Sequence, residues 1–333
     1  MRGLTGLVLI NLAALSGSAH AAEVDKCPPP QEQAAPRAVI RNGQVSAMVL
    51  LPDAENGFYR GTRFDWSGVI WCLTYRNHSY FGEWYAQNQV RNRITGPVEE
   101  FRAADGRSSP GYDAARPGDP FVKPGVGVLR RVDEKAYSFN ADYPVVDGGR
   151  WTVRTRRDRV FFRHDLSSPI GIAYRYEKVL RLERNAPVLV LEHVLKNTGK
   201  EPIDIQVYNH NFFILDGTPP GPDISIRFPF KPVAVRPLQN GARIDGNAIV
   251  FDAGGGASSE ITGYSDRAAD YNFFIENSRT GAGVEIIGDL PLSKIDFWSN
   301  ARVACPEPYV RIQVQPGKTG RWSVRYRLYE MQR

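Results

Sequence analysis

Ile203-Asp204-Ile205-Gln206-Val207-Tyr208, running on into Asn209-His210-Asn211-Phe212-Phe213-Ile214-Leu215-Asp216-Gly217, decides how this 333-residue chain is read. The first six residues are a β-type run, and two aromatics and a glycine turn close the segment. The run therefore delivers a histidine at the end of a strand. A histidine among apolar neighbours is more often a hydrogen-bonded core residue than a reactive one, so the rest of the chain must say which His210 is.

Runs of the same kind recur at short spacing on both sides. Upstream they cover residues 45–51 and 69–75, and from Val126 onward 150–156, 160–164, 172–182 and 188–197. Beyond the histidine they cover 224–228, 248–251, 271–276, 283–287, 310–314 and 322–329. Turn residues separate them, with 31 Gly and 24 Pro in the chain. No amphipathic helix exceeds about two turns, and there is no internal repeat or low-complexity tract. The pattern predicts an all-β fold, a large antiparallel two-sheet β-sandwich in one domain over residues 39–333. Leu195-Lys196-Asn197-Thr198-Gly199 reads as a hairpin turn leading into the histidine strand. Residues 103–122, rich in Gly, Pro, Ser and Asp, read as a long surface loop.

The N-terminus sets the expected compartment. Arg2, the apolar run from Leu4 to Leu15 and Ser18-Ala19-His20-Ala21 read as a signal peptide over residues 1–21. The run is shorter than the roughly 20 residues that span a bilayer. The protein is expected to be exported, periplasmic or secreted, with a Pro-rich leader over 22–38. The net charge of +6 is spread out. Its densest cluster, Arg154-Thr155-Arg156-Arg157-Asp158-Arg159, reads as a solvated strand face, which argues against a nucleic-acid partner. The cysteines, Cys27, Cys72 and Cys305, are odd in number, so one thiol is left outside any internal pair. They lack the spacing of a zinc site, and the five histidines are scattered, so no metal is expected. No nucleophile elbow, Walker loop or dinucleotide fingerprint is present.

Three other segments carry candidate chemistry. Val303-Ala304-Cys305-Pro306-Glu307-Pro308-Tyr309 sets a glutamate between two prolines, which restrict the backbone on both sides. Asp296-Phe297-Trp298-Ser299-Asn300 offers an aromatic platform beside polar groups, or a core tryptophan. Tyr59-Arg60-Gly61-Thr62-Arg63-Phe64-Asp65-Trp66-Ser67-Gly68 and Thr95-Gly96-Pro97-Val98-Glu99-Glu100-Phe101 hold arginines and carboxylates. These either pair as a structural clasp or line a pocket.

The stretch 209–217 closely resembles the Asn-His-x-Tyr-Phe-Asn-Leu-x-Gly segment of the aldose 1-epimerases, or galactose mutarotases, whose fold is a β-supersandwich. The resemblance runs loosely from Val39 to Tyr329. It implies that His210 is the general acid that protonates a sugar ring oxygen and that Glu307 is the base. Asn92-Arg93-Ile94 is similar to a triplet of that family in which the arginine binds sugar hydroxyls, implying such a role for Arg93. Arg63 and Trp298 join it as substrate-binding candidates. No cofactor is implied, and the partner is a sugar or oligosaccharide. The chain departs from the galactose mutarotases in having no histidine between His78 and His164, which leaves the sugar open. The alternatives are a non-catalytic carbohydrate-binding protein and a polysaccharide lyase or glycosidase on the same fold. Convergence of His210 and Glu307 within one sugar ring favours the epimerase.

Overall fold

The computed structural model describes residues 34–85 and 93–332. Apart from turns and two 3-10 segments, Leu215–Gly217 and Ala268–Asp270, these residues form strands in antiparallel sheets. Among them no helix is long and apolar enough to cross a membrane. The signal-peptide reading and most of the leader lie outside the described residues, and the first strand is Arg37–Arg41.

Two sheets build the sandwich. One has ten strands, from Ala242–Asp245 at one edge to Arg150–Thr155 at the other. The second has six, in the order Val233–Ala234, Ala257–Thr262, Lys294–Ser299, Ala304–Val314, Ile203–Phe212 and Gly96–Ala103. A four-stranded sheet beginning at Arg37–Arg41 and a three-stranded sheet beginning at Pro120–Lys123 complete the fold.

Period-two alternation sorts side chains between two apolar layers. Ile203, Ile205 and Val207, with Val310, Ile312 and Val314, join Leu189, Leu191, Val324 and Leu328 of the ten-stranded sheet in one continuous core. Val98, Phe212 and Cys305 belong instead to a second cluster with Phe64, Trp66, Trp71 and Phe121. Each large apolar side chain so buried contributes about 1.5–3 kcal/mol. The six-stranded sheet is thus covered on both faces near its Gly96–Ala103 edge. That is why Gly96–Ala103 and the first half of Ala304–Val314 are buried without alternation.

One reading of the sequence needs correction and a second needs completing. The turn at 195–199 is not a hairpin, because the strands it joins lie in different sheets. Val188–Asn197 pairs with Ala173–Leu182 and Thr319–Glu330, whereas Ile203–Phe212 pairs with Ala304–Val314 and Gly96–Ala103. Asn197 holds this arch: its Nδ2 donates to the carbonyls of Glu201 (2.8 Å) and Val314 (2.9 Å), and its Oδ1 accepts from the Gly199 amide (2.9 Å). A chain reversal within a sheet and one between sheets call for the same local chemistry. The stretch 103–122 is the surface loop the sequence suggests as far as the strand Pro120–Lys123, with Asp105, Arg107 and Arg116 exposed, but it also packs inward. Ser108, Ser109 and Tyr112 are buried, Ser109 Oγ donates to the Val122 carbonyl (2.8 Å), and Tyr112 meets Phe121, Tyr137 and Tyr143 edge-on. Its glycines and prolines shape a packed cap ending in the strand Pro120–Lys123.

The arginine cluster behaves as a solvated face. Arg150–Thr155 is the outer strand of its sheet, and Arg154, Arg156 and Arg157 are exposed. Charges there discourage another chain from pairing with the free edge. Cys72 is disulfide-bonded, and Cys305 is a free, buried thiol; Cys27 lies outside the described residues.

Candidate active site

His210 and Glu307 sit on neighbouring central strands of the six-stranded sheet. The register that pairs Tyr208 with Tyr309 and Phe213 with Ala304 sets His210 directly opposite Glu307. Directly opposite side chains share a face, and His210 Nε2 lies 3.1 Å from Glu307 Oε1. Period-two alternation brings Tyr208 and Phe212 to the same face as His210, and Cys305 and Tyr309 to that of Glu307. The other face, carrying Asn209 and Asn211, looks into the sandwich.

The prolines beside Glu307 stand inside a central strand, where each lacks an amide for the ladder. Their outer partners are Phe297 and Ile295 of Lys294–Ser299. Toward the histidine strand, regular pairing stops at Tyr208 and Tyr309 and resumes as a single bridge at Phe213. Asn211 fills the gap. Its Nδ2 donates to the Pro306 carbonyl (2.9 Å), and its Oδ1 accepts from the Tyr326 hydroxyl (2.8 Å) of the ten-stranded sheet.

His210 and Glu307 form part of the floor of an open cavity of about 940 Å³. Arg63, Asp296, Trp298 and Tyr309 are among its lining residues. The His210 ring stacks on Phe212, with centroids 3.8 Å apart, and meets Phe64 and Trp298 edge-on at 5.6 and 5.8 Å. Burial in this aromatic cage, reinforced by the nearby Arg63 charge, pushes the imidazole pKa well below its ordinary value. Burial acts the opposite way on the Glu307 carboxyl and pushes it up to about 8, with Asp296 and Glu100 adding to the rise and Arg63 opposing it. The result is a neutral imidazole beside a carboxyl that exchanges its proton near neutral pH, as proton-transfer chemistry requires.

Beside this pair, Glu100 is fully buried and ringed by cations. Its carboxylate meets Arg63 Nε at 2.7 Å, Arg102 Nε at 2.6 Å and Lys123 Nζ at 3.3 Å, and it accepts from the Tyr208 hydroxyl (2.5 Å). Burial alone would raise its pKa, but the three cations outweigh burial and hold it well below the usual carboxylate range. Arg63 is both a clasp residue and a lining residue, so the two readings of its segment hold together. With its guanidinium fixed on Glu100 and stacked 4.1 Å over Phe139, it presents a preset donor face to the cavity.

Four of the five residues singled out in the sequence, His210, Glu307, Arg63 and Trp298, meet at this cavity. Arg93 does not line it: its guanidinium lies over the rings of Phe58 (5.2 Å) and Tyr85 (6.0 Å). The residues the sequence reading passed over are Arg102, Tyr208, Tyr309 and Cys305. Each stands two positions from a residue it did single out or, for Arg102, from Glu100 of the clasp segment. Period two along the same strands was therefore the signal that could have found them.

Ligand atoms of His210, Cys305 and Glu307 lie within 4.8 Å of one another. Cys305 Sγ stands at Nδ1 (2.5 Å) and Glu307 at Nε2 of the same ring. Cys305 and Glu307 thus approach the ring through different nitrogens, Cys305 in hydrogen-bond contact with Nδ1 and Glu307 as the ion-pair neighbour of Nε2.

No protein-family model matches the sequence, and no curated protein matches it. Many solved structures share its fold and are aldose 1-epimerase or galactose mutarotase-like proteins. A galactose mutarotase-like protein from Clostridium acetobutylicum is 13% identical with a TM-score of 0.58, over 88% of this chain and 95% of that one. A candidate aldose 1-epimerase from Escherichia coli K12 gives 13% and 0.58 over 89% and 99%. An aldose epimerase homologue from C. elegans gives 12% and 0.53 over 90% and 100%. At such identities the likeness is one of fold: the chain has the galactose mutarotase-like β-sandwich.

Proposed function

We propose that the protein is an aldose 1-epimerase that interconverts the anomers of a free aldose, or of the reducing end of an oligosaccharide. The observation that carries this is the convergence of His210 and Glu307, 3.1 Å apart at the floor of an aromatic-walled cavity. The anomeric hydroxyl and the ring oxygen hang from one carbon. The groups that handle their protons must therefore stand side by side.

In this reading Glu307, as carboxylate, takes the proton of the anomeric hydroxyl while His210 protonates the ring oxygen through Nε2, and the proton gained by Glu307 passes to the vacated Nε2 3.1 Å away, so the imidazole is left neutral. The ring opens, the carbonyl turns, and closure runs the same transfers in reverse. Trp298 supplies a face for the sugar ring, and Arg63 supplies donors to its hydroxyls. No step calls for a metal or cofactor. The protein would act outside the cytoplasm, as residues 1–21 suggest and the disulfide at Cys72 supports.

The test is polarimetry of freshly dissolved aldoses and reducing oligosaccharides with the wild type, His210→Gln and Glu307→Gln. Each variant should lose about 10²–10⁴-fold of the acceleration, the usual contribution of one proton-transfer group. A folded wild type that accelerates no sugar would remove this reading and leave a carbohydrate-binding protein or a polymer-acting enzyme.

A further inference from the structure

We propose that Cys305 is a positioning residue for His210: its S–H donates to Nδ1, fixes the imidazole in the tautomer that carries its proton on Nε2, and so presents that proton to the cavity. As a role in turnover this rests on the epimerase reading; as a statement about the imidazole it does not.

The geometry leaves the thiol little choice. Cys305 is fully buried and cannot turn to water, and its sulfur lies against Nδ1. The register sets Cys305 opposite Phe212, diagonal to His210 on the same face, so strand pairing fixes the contact. The Asn211 backbone amide already faces the sulfur, supplying a donor to its lone pairs and leaving the S–H to find an acceptor. An imidazole nitrogen is a strong acceptor and a thiol sulfur a weak one, which favours S–H to Nδ1 over Nδ1–H to sulfur. Burial also keeps the thiol protonated, its pKa pushed well above the ordinary value. Phe212, stacked on the ring, with Phe64 and Trp298 at its edges, opposes a flip that would exchange the nitrogens.

The opposite end of the ring agrees. When Glu307 is ionised, as a base must be, its Oε1 accepts only, and a protonated Nε2 at 3.1 Å faces it favourably. The arrangement with the proton on Nδ1 would set a bare Nε2 against a carboxylate. The thiol thus selects the one tautomer compatible with an ionised partner. A histidine oriented in this way by its second nitrogen is the ordinary use of a supporting residue.

The experiment is ¹⁵N NMR of the full-length protein labelled at histidine, with the His210 ring signals assigned by their loss in His210→Gln. The wild type should show an unprotonated Nδ1 and a protonated Nε2. At about pH 6, where Glu307 keeps its proton and can either donate to Nε2 or accept from it, Cys305→Ala should abolish that preference, giving a tautomer mixture, and Cys305→Ser, which keeps a donor, should restore it. In polarimetry Cys305→Ala should lower kcat by about 10–100-fold with KM unchanged, the range expected for loss of a histidine-orienting partner, and Cys305→Ser should recover most of it. A protonated Nδ1 in the wild type overturns the proposal, even if no variant folds. So does a His210 spectrum that is the same in folded Cys305→Ala. If the tautomer responds as expected but no sugar is turned over, the epimerase reading fails and this one stands.

Discussion

Glu307 carries the clearest consequence at the scale of a residue. Burial holds its proton on up to about 8, against about 4.5 for an ordinary glutamate. Between those values the folded chain keeps a proton that the unfolded chain has released, so raising the pH through this window destabilises the fold. The histidines do not mask the effect above about pH 7. His210 and His193 are shifted down and are neutral there in both states. Asp65, raised to about 7 by burial, has largely completed its own loss by then. Lys123 acts the opposite way as the pH approaches 8, because burial lowers its ammonium to about 8 and the folded chain then gives up a proton that the unfolded chain keeps. Thermal unfolding should therefore show the wild-type Tm falling from about pH 7 to about pH 8, and Glu307→Gln losing that fall and lying higher at the upper end. Turnover by the proposed mechanism would run the other way, because its base must be ionised: kcat/KM should rise through about pH 8. A Tm slope unchanged in Glu307→Gln would mean that this carboxyl is not held protonated.

At the scale of an element, the histidine and glutamate strands are joined across a defect. Pro306 and Pro308 preset the Glu307 backbone but remove amides from a central strand, and Asn211 replaces the missing link while tying it to Tyr326. Asn211→Ala strips a partner from two buried groups, each costing about 1–3 kcal/mol, so a loss of about 3 kcal/mol is expected in urea unfolding. The double variant with Tyr326→Phe should cost less than the sum, since the phenol would no longer be stranded. Full additivity would show that Asn211 does not bridge the sheets. This linkage also marks how far the sequence could be read. The strands were legible because burial on one face writes period two into sequences such as Ile203–Phe212. So was the pairing of His210 with Glu307, through a resemblance. Which sheet each strand joins was not legible, as Asn197 illustrates, because a turn reports only on its own few residues. Glu99 and Glu100 illustrate the remaining difficulty. They are adjacent in sequence, yet alternation sends one to the face that carries the cavity, where it is buried beneath Arg63 and Tyr208, and the other into the sandwich, and their partners come from distant strands.

At the scale of the molecule, that second carboxylate joins the two sheets. Glu99 and Lys178 are both fully buried and paired, one on the edge strand of the six-stranded sheet and the other in the ten-stranded sheet. Lys178 Nζ also donates to the Ser67 carbonyl (2.7 Å), and Glu99 accepts from Asn209 Nδ2 (3.0 Å), the neighbour of His210. Tyr176 extends the network by donating to Asp65 (3.1 Å), with its oxygen 3.0 Å from His193 Nδ1. An apolar interface would hold two sheets together without these charges, and a buried pair is weak evidence for stability in itself. Removing one partner is a different matter, because the survivor is left charged in a medium that solvates it poorly. Lys178→Met should cost about 3–5 kcal/mol in urea unfolding. Adding Glu99→Gln should return at least half of that, since the amide keeps a carbonyl for Asn209 and carries no charge. If Lys178→Met costs no more than a surface substitution, Glu99 has found water or a proton, and the two sheets are not joined by charge. The recovery in the double variant separates the two effects, because lost packing at Lys178 would persist in it whereas a stranded carboxylate would not.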